Sequence, residues 1–152
     1  MADTKASSHP HATLATFGLG SCLGVTCYDP AKKIGGMLHA MLPSSTKYTE
    51  PSTVAAMYLD TGLGALFQAI LQLGSDPRRC EFKVFGGAQI VRACEFFKIG
   101  QQNIDTMRRL AVEHRLHVPV WEVGGHMNRS ITLHLETGHV LLRMPNHSSM
   151  LR

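Results

Sequence analysis

Residues 16–42 read TFGLGSCLGVTCYDPAKKIGGMLHAML, and they predict a β-hairpin that follows a glycine-rich turn. Residues 23–28 have the composition of a strand, and residues 29–33 carry the Asp-Pro chemistry of a tight turn. Residues 34–42 predict a second strand that runs back beside the first. The hairpin therefore brings the end of its second strand close to the start of its first.

Cys22 and His39 are the residues that this hairpin brings together. Gly18, Gly20 and Gly24 remove side-chain bulk around the Cys22 sulfur, so that another molecule could approach it closely. A thiol with an ordinary pKa is a weak nucleophile at neutral pH because it is mostly protonated, and a neighbouring imidazole activates it by taking its proton. The stretch therefore indicates a nucleophilic thiol site.

The motifs of the chain resemble the chemoreceptor glutamine deamidase family, CheD, in order and spacing over residues 13–144. The motifs that carry the resemblance are Thr16-x-Gly18-x-Gly20-Ser21-Cys22, Tyr28-Asp29-Pro30, Gly35-Gly36-Met37-x-His39-x-Met41-Leu42-Pro43, Lys83-Val84-Phe85-Gly86-Gly87-Ala88, Ile99-Gly100-x-x-Asn103, Gly124-Gly125 with Arg129, and Thr137-Gly138.

The resemblance implies a cysteine-dependent amidohydrolase that needs no cofactor and no metal. Cys22 would attack a glutamine carboxamide and His39 would move the proton. Thr16 would accept a hydrogen bond from the other ring nitrogen of His39 and so orient the ring. The product would be glutamate, formed through a thioester with release of ammonia. The implied substrates are glutamines on the cytoplasmic helices of methyl-accepting chemotaxis receptors, and the phosphatase CheC is an implied partner.

Further site candidates come from the backbone and from the loops near the thiol. The N–H groups of Ser21, Cys22 and Leu23 are candidates to hold the oxyanion of the tetrahedral intermediate. The candidates to line the substrate groove are Gly20, Gly36, Ser44, Ser45, Phe85, Gly86 and Gly87.

Three other functions remain open at this point. One is a binding module that docks on receptors or on CheC without turnover, and another is hydrolysis of glutamyl methyl esters by the same thiol. The third is a metal site made of Cys22, His39 and His126, which the Cys and His spacing does not favour.

Composition limits the class of protein. The chain has 152 residues, enough for one domain with a substantial core, and a formal net charge of +4. Its first residues lack the apolar segment of a signal peptide, and no apolar run reaches the ~20 residues that span a bilayer, so we expect a soluble cytoplasmic protein without membrane insertion.

The four cysteines form no CxxC pair, and Cys22 and Cys27 are expected on opposite strand faces. The sequence contains no basic run with interleaved aromatic residues, so it gives no indication of nucleic-acid binding.

The elements predict an α+β fold, a layered α/β sandwich of mixed, largely antiparallel β-sheets flanked by two main helices. Helices are predicted over residues 51–73, capped by Thr49 or Glu50, and over residues 99–116. Besides the hairpin, strands are predicted over residues 13–19, 80–85, 118–123, 130–135 and 140–144, whereas residues 88–97 are undecided between helix and loop. Residues 1–12 and 145–152 are predicted as flexible tails around a single domain of residues 13–144. Cys27, Cys80 and Cys94 have no assigned role.

Overall fold

The computed structural model describes residues 2–48, 52–90 and 98–152, which form nine strands and two α-helices. The strands are β1 (Asp3–Ser7), β2 (Thr13–Leu19), β3 (Leu23–Asp29), β4 (Ile34–Ala40), β5 (Glu81–Gly86), β6 (His117–Val123), β7 (Arg129–His134), β8 (Val140–Met144) and β9 (His147–Leu151). The helices are α1 (Leu59–Gln72) and α2 (Ile99–Glu113).

The strands form two sheets. Sheet A has the order β1-β4-β3-β5-β6, and sheet B has the order β2-β7-β8-β9. Every neighbouring pair is antiparallel except β5 and β6, which run parallel. The predicted α+β sandwich of largely antiparallel sheets with two main helices is therefore confirmed.

Strand alternation separates two apolar layers on the two faces of sheet A. Leu23, Val25, Cys27 and Leu38 point toward α1 and α2, where they pack against residues such as Leu63. The opposite face packs on sheet B, with Ile131 and Leu133 among its contacts. Successive side chains of β3 point to opposite faces of sheet A, and both faces are covered by other parts of the protein. Every residue of β3 is therefore buried.

Both chain ends are strands, which corrects the prediction of flexible tails. β1 pairs with β4, with Asp3 opposite His39, and β9 pairs with β8. Both strands are short, polar and at a sheet edge, so they lack the apolar alternation that identifies a buried strand. The seven strands that were predicted are all present.

Helix α1 begins at Leu59, eight residues later than predicted. Met41 and Leu42 donate backbone hydrogen bonds to the Met57 carbonyl, and Leu59 donates to the Leu42 carbonyl. The backbone before α1 is thus paired with the chain that leaves β4, so it is not available for a helix. Gly62 marks a close crossing of α1 over sheet A, since a Cβ there would lie 2.7 Å from Leu38 Cδ1.

Some predictions fall on residues outside the described part of the chain. These are the cap at Thr49 or Glu50, the helix start at Pro51, most of residues 88–97, and Cys94; residues 88–90 are loop. Among the residues described, no helix is both long and apolar enough to cross a bilayer.

Candidate active site

The predicted nucleophile lies on a three-residue connection, Gly20, Ser21 and Cys22, which we call the thiol loop. It carries the chain from β2 in sheet B to β3 in sheet A. The register of β2 on β7 shifts between Thr16 and Leu19, and Gly18 in this bulge has φ +68°. That backbone conformation favours glycine, which explains why the chain has a glycine where it leaves sheet B.

All three carbonyl groups of the thiol loop accept hydrogen bonds from other parts of the protein. The Gly20 carbonyl accepts from Ala88 N at 2.8 Å, and the Cys22 carbonyl accepts from Gly87 N at 2.9 Å. The Ser21 carbonyl accepts from Asn103 Nδ2 at 2.8 Å. The backbone of the loop is therefore fixed from behind by the end of β5 and by α2.

The N–H groups of the thiol loop are arranged differently. Within the described parts of the chain, the N–H groups of Ser21 and Cys22 donate to no acceptor in another residue. In a planar trans peptide the N–H group points in the direction opposite to the carbonyl of the preceding residue. Because the Gly20 and Ser21 carbonyls point toward the residues that hold the loop, the N–H groups of Ser21 and Cys22 point away from those residues. Two of the three predicted oxyanion donors are thus available, whereas Leu23 pairs with Ala40 in the sheet.

His39 and Thr16 meet across the two sheets. Thr16 Oγ1 on β2 and His39 Nδ1 on β4 are hydrogen-bonded at 2.8 Å. His39 is 5% exposed and lies opposite Gly24 in the β3–β4 ladder. Cys22 precedes Gly24 by two residues and packs against the apolar layer between the two sheets, which is also the side on which His39 meets Thr16. No hydrogen bond joins the Cys22 thiol to the His39 ring in the described structure.

Burial shifts the pKa of both groups toward the neutral form. Desolvation raises the pKa of the Cys22 thiol above its ordinary value of 9.0, although its own backbone N–H acts in the opposite direction. Desolvation also lowers the pKa of His39 below its ordinary value of 6.5, while Asp3 on β1 acts to raise it. The resting pair is therefore a neutral thiol and a neutral imidazole at neutral pH.

A groove of about 610 Å³ opens beside the thiol. Its walls come from the thiol loop and Gly18, the loop after β5, the start of α2 and the loop before β7. The lining residues are Gly18, Gly20, Ser21, Cys22, Ala88, Gln89, Ile90, Ile99, Gly100 and Asn128. The walls are mainly glycine and aliphatic, and they present few polar groups to a ligand.

Only Gly20 of the predicted groove residues lines this groove. Ser44 and Ser45 instead bind Asp60 of α1, where their hydroxyl groups donate to Oδ2 at 2.9 and 3.0 Å. Gly36 faces α1, since a Cβ there would lie 2.6 Å from Leu66 Cδ1. Phe85 is fully buried between the sheets.

Gly86 and Gly87 support the thiol loop from behind. Both have positive φ, at +105° and +66°, and a Cβ on Gly86 would overlap the Cys22 carbonyl oxygen. These glycines therefore let the end of β5 approach the loop closely, which is a supporting position and not a groove wall. Sequence reasoning missed Ile90, Ile99, Gly100 and Asn128, whose only sequence signal was the Ile99-Gly100 motif.

The proposed third metal ligand, His126, binds elsewhere. Its Nδ1 contacts the Gln89 carbonyl at 2.9 Å, next to the hydrogen bond from Gln89 N to the Gly125 carbonyl. The described residues contain no cluster of three or more His, Cys, Asp or Glu side chains with the geometry to hold a metal ion.

Comparisons with known proteins identify the family of the chain. The family described as CheD chemotactic sensory transduction matches residues 41–144, a range that begins two residues after His39. A protein of Syntrophus aciditrophicus, named "Probable chemoreceptor glutamine deamidase CheD 1", is 37% identical over 144 residues, which cover 94% of the chain and 90% of the relative.

Two further relatives have the name "Probable chemoreceptor glutamine deamidase CheD". The protein of Pyrococcus abyssi is 40% identical over 86% of the chain and 80% of its own length. The protein of Desulfitobacterium hafniense is 39% identical over 97% of the chain and 92% of its own length. With these relatives and the match over most of its length, the chain belongs to the CheD family.

Proposed function

We propose that this protein is a chemoreceptor glutamine deamidase that uses Cys22 as its nucleophile. One observation carries the proposal: every carbonyl of the thiol loop is bonded inside the protein, the Ser21 and Cys22 N–H groups donate to no other described residue, and the thiol lies at the wall of a groove. Acyl transfer needs this combination, because backbone donors must be fixed where the oxyanion develops. The names of the relatives supply the substrate class.

The first chemical step forms a thioester. The Cys22 Sγ–H proton passes to Nε2 of His39 while sulfur bonds to the carboxamide carbon, and the carbonyl electron pair moves to oxygen. The N–H groups of Ser21 and Cys22 hold this oxyanion. The C–N bond then breaks, the nitrogen takes the proton from His39, and ammonia leaves.

The second step reverses the roles with water. His39 takes a proton from water as the water oxygen attacks the thioester carbonyl, and the C–S bond breaks to leave a glutamate carboxyl group. The sulfur regains its proton from His39. In both steps Nδ1 keeps its hydrogen and donates it to Thr16 Oγ1, which leaves Nε2 as the base.

The neutral resting pair suits this mechanism. A neutral imidazole can accept the thiol proton at once, whereas a preformed ion pair would have to be buried without a counter-ion network. Thr16 orients the ring without adding the negative charge that a carboxylate would bring. The thiolate therefore forms as the carboxamide is attacked.

The groove favours a substrate that presents one glutamine side chain above an apolar surface. Its aliphatic and glycine walls fit small apolar groups near the target, while the few polar side chains leave recognition of the carboxamide to the backbone. The resemblance also implies CheC as a partner, and the same groove is the surface on which we would expect it to compete with the receptor.

The test is mass spectrometry of a chemoreceptor cytoplasmic fragment after incubation with the purified protein. Wild type should add about 1 Da per converted glutamine and release ammonia, and Cys22→Ala and His39→Ala should lower the rate by about 10³-fold or more. Cys27→Ala, a change at a buried thiol outside the groove, is the matched control and should keep its rate. Binding without a mass change would support a binding module, and methanol release would indicate an esterase.

Thr16→Val separates orientation from chemistry in the same assay. Valine has nearly the shape of threonine but leaves His39 Nδ1 without its partner, so we expect a rate about 10-fold lower, with recovery in Thr16→Ser. An unchanged rate in Thr16→Val would show that the ring needs no such partner.

A further inference from the structure

Asn103 connects the two segments that carry the reacting groups. It lies in the second turn of α2 and is fully buried. Its Nδ2 group donates to the Ser21 carbonyl at 2.8 Å and to the Met41 carbonyl at 3.0 Å. Ser21 immediately precedes the thiol, and Met41 follows His39 by two residues.

The two carbonyls lie where the β3–β4 ladder ends. Leu23 pairs with Ala40 in the last position of that ladder, so Cys22 and Met41 come next on their respective chains without pairing. The Asn103 side chain bridges this gap in place of a further ladder bond. It can do so because a primary amide nitrogen has two hydrogens and no charge.

The contact with Ser21 also sets the direction of a proposed oxyanion donor. The Ser21 carbonyl and the Cys22 N–H belong to one planar trans peptide, so fixing the carbonyl toward Asn103 fixes the N–H on the opposite side. We propose that Asn103 is a positioning residue that aims the Cys22 N–H at the oxyanion. This inference rests on the proposed function, and the residue acts through the backbone without touching substrate.

Two other features support a dedicated role for this side chain. The Oδ1 atom of Asn103 is buried and has no hydrogen-bond partner among the residues that the structure describes, which is an unfavourable state for a side chain with a purely structural role. The start of α2 is also pressed closely against the support of the thiol loop. A Cβ on Gly100 would lie 2.5 Å from the Gly87 carbonyl oxygen and 3.0 Å from that of Ala88.

The proposal separates two reactions of the same sulfur. Deamidation passes through an oxyanion and needs the Cys22 N–H, whereas alkylation by iodoacetamide displaces iodide directly and forms no oxyanion. Loss of the Asn103 donors should therefore lower deamidation while alkylation of Cys22 continues at the wild-type rate. A general loss of structure would change both reactions together.

The experiment uses Asn103→Asp, which keeps the shape and removes both donors, and Asn103→Ser, which keeps one small donor. With the receptor fragment as substrate, kcat for Asn103→Asp should fall by about 10- to 100-fold, with KM within about twofold of wild type. The kcat of Asn103→Ser should fall less than that of Asn103→Asp. Circular dichroism shows whether each variant folds, and if the aspartate variant does not, the serine variant is the one that tests the proposal. Asn146→Asp, the same change at an exposed turn, is the control and should match wild type.

Three outcomes decide the matter. Lower kcat with unchanged Cys22 alkylation supports the positioning role. Wild-type kcat in the folded variants, or a parallel loss of alkylation, overturns it while the proposed function stands. A wild type that converts no glutamine overturns the proposed function and this inference with it.

Discussion

Cys22 and Cys27 lie five residues apart on one hairpin, yet their surroundings are opposite. Cys22 is half-buried at the wall of the groove, on the face toward sheet B. Cys27 is fully buried on the face toward the helices, where Cys80 is its neighbour. The odd spacing along an extended chain causes this separation, as the sequence predicted.

The pKa of the two thiols does not distinguish their roles. Burial raises the pKa of Cys22, and it raises the pKa of Cys27 well above the ordinary range, with Cys80 adding to the effect. The difference lies in the surroundings, since Cys22 has a groove beside it, backbone N–H groups that donate to no other described residue, and His39 on its side of the sheet. A thiol therefore becomes a site here through access and backbone geometry.

The largest expected difference is in alkylation of the native protein. Iodoacetamide should label Cys22 at least about 10³-fold faster than Cys27 or Cys80, because the latter two react only when the structure opens. Peptide mapping after short exposure measures the ratio. Equal labelling of Cys27 and Cys22 in folded protein would break the comparison.

A smaller effect is expected on stability. Cys27→Ala leaves a cavity in the layer beneath the helices and should lower the free energy of unfolding by about 1–2 kcal/mol. Cys22→Ala, at the groove wall, should change it by less than about 1 kcal/mol. Urea unfolding of both variants gives the two values, and the opposite order would mean that Cys22 is the structural thiol.

The smallest effect concerns pH. A neutral His39 is the base, and burial lowers its pKa, so the deamidation rate should fall only at a pH below the range in which an ordinary histidine takes a proton. Alkylation of Cys22 should rise with pH toward a pKa above 9.0. A flat alkylation rate from pH 6 to 8 would instead reveal a preformed thiolate and imidazolium pair.

The sequence predicted those parts of the fold that local chemistry specifies. The hairpin over residues 23–42 followed from its turn residues and strand composition, and the other predicted strands followed from their apolar pattern. The strands β1 and β9 were missed because both are short and polar, and β1 in addition pairs with β4, which lies far from it along the chain. The start of α1 was missed because Met57 pairs with Met41 and Leu42, a contact that no local pattern indicates.

The candidate site was also predicted only in part. The prediction of Thr16 beside His39 depended mainly on the resemblance, and their hydrogen bond agrees with it. The groove walls were mostly missed, since Ile90, Ile99 and Asn128 come from three separate loops. Gly86 and Gly87 were predicted to line the substrate groove, but they lie behind the thiol loop and support it.

The chain changes sheets three times, between β1 and β2, at the thiol loop, and between β6 and β7, and the last two crossings border the groove. The width of the groove therefore depends on how far apart the two sheets stand. Leu19 and Ile131 lie in the apolar layer between the sheets, and a Cβ on Gly24 would be 2.7 and 3.0 Å from their Cδ1 atoms. Substitutions in this layer are therefore expected to change the groove width, and with it the choice of substrate, without any contact to the substrate.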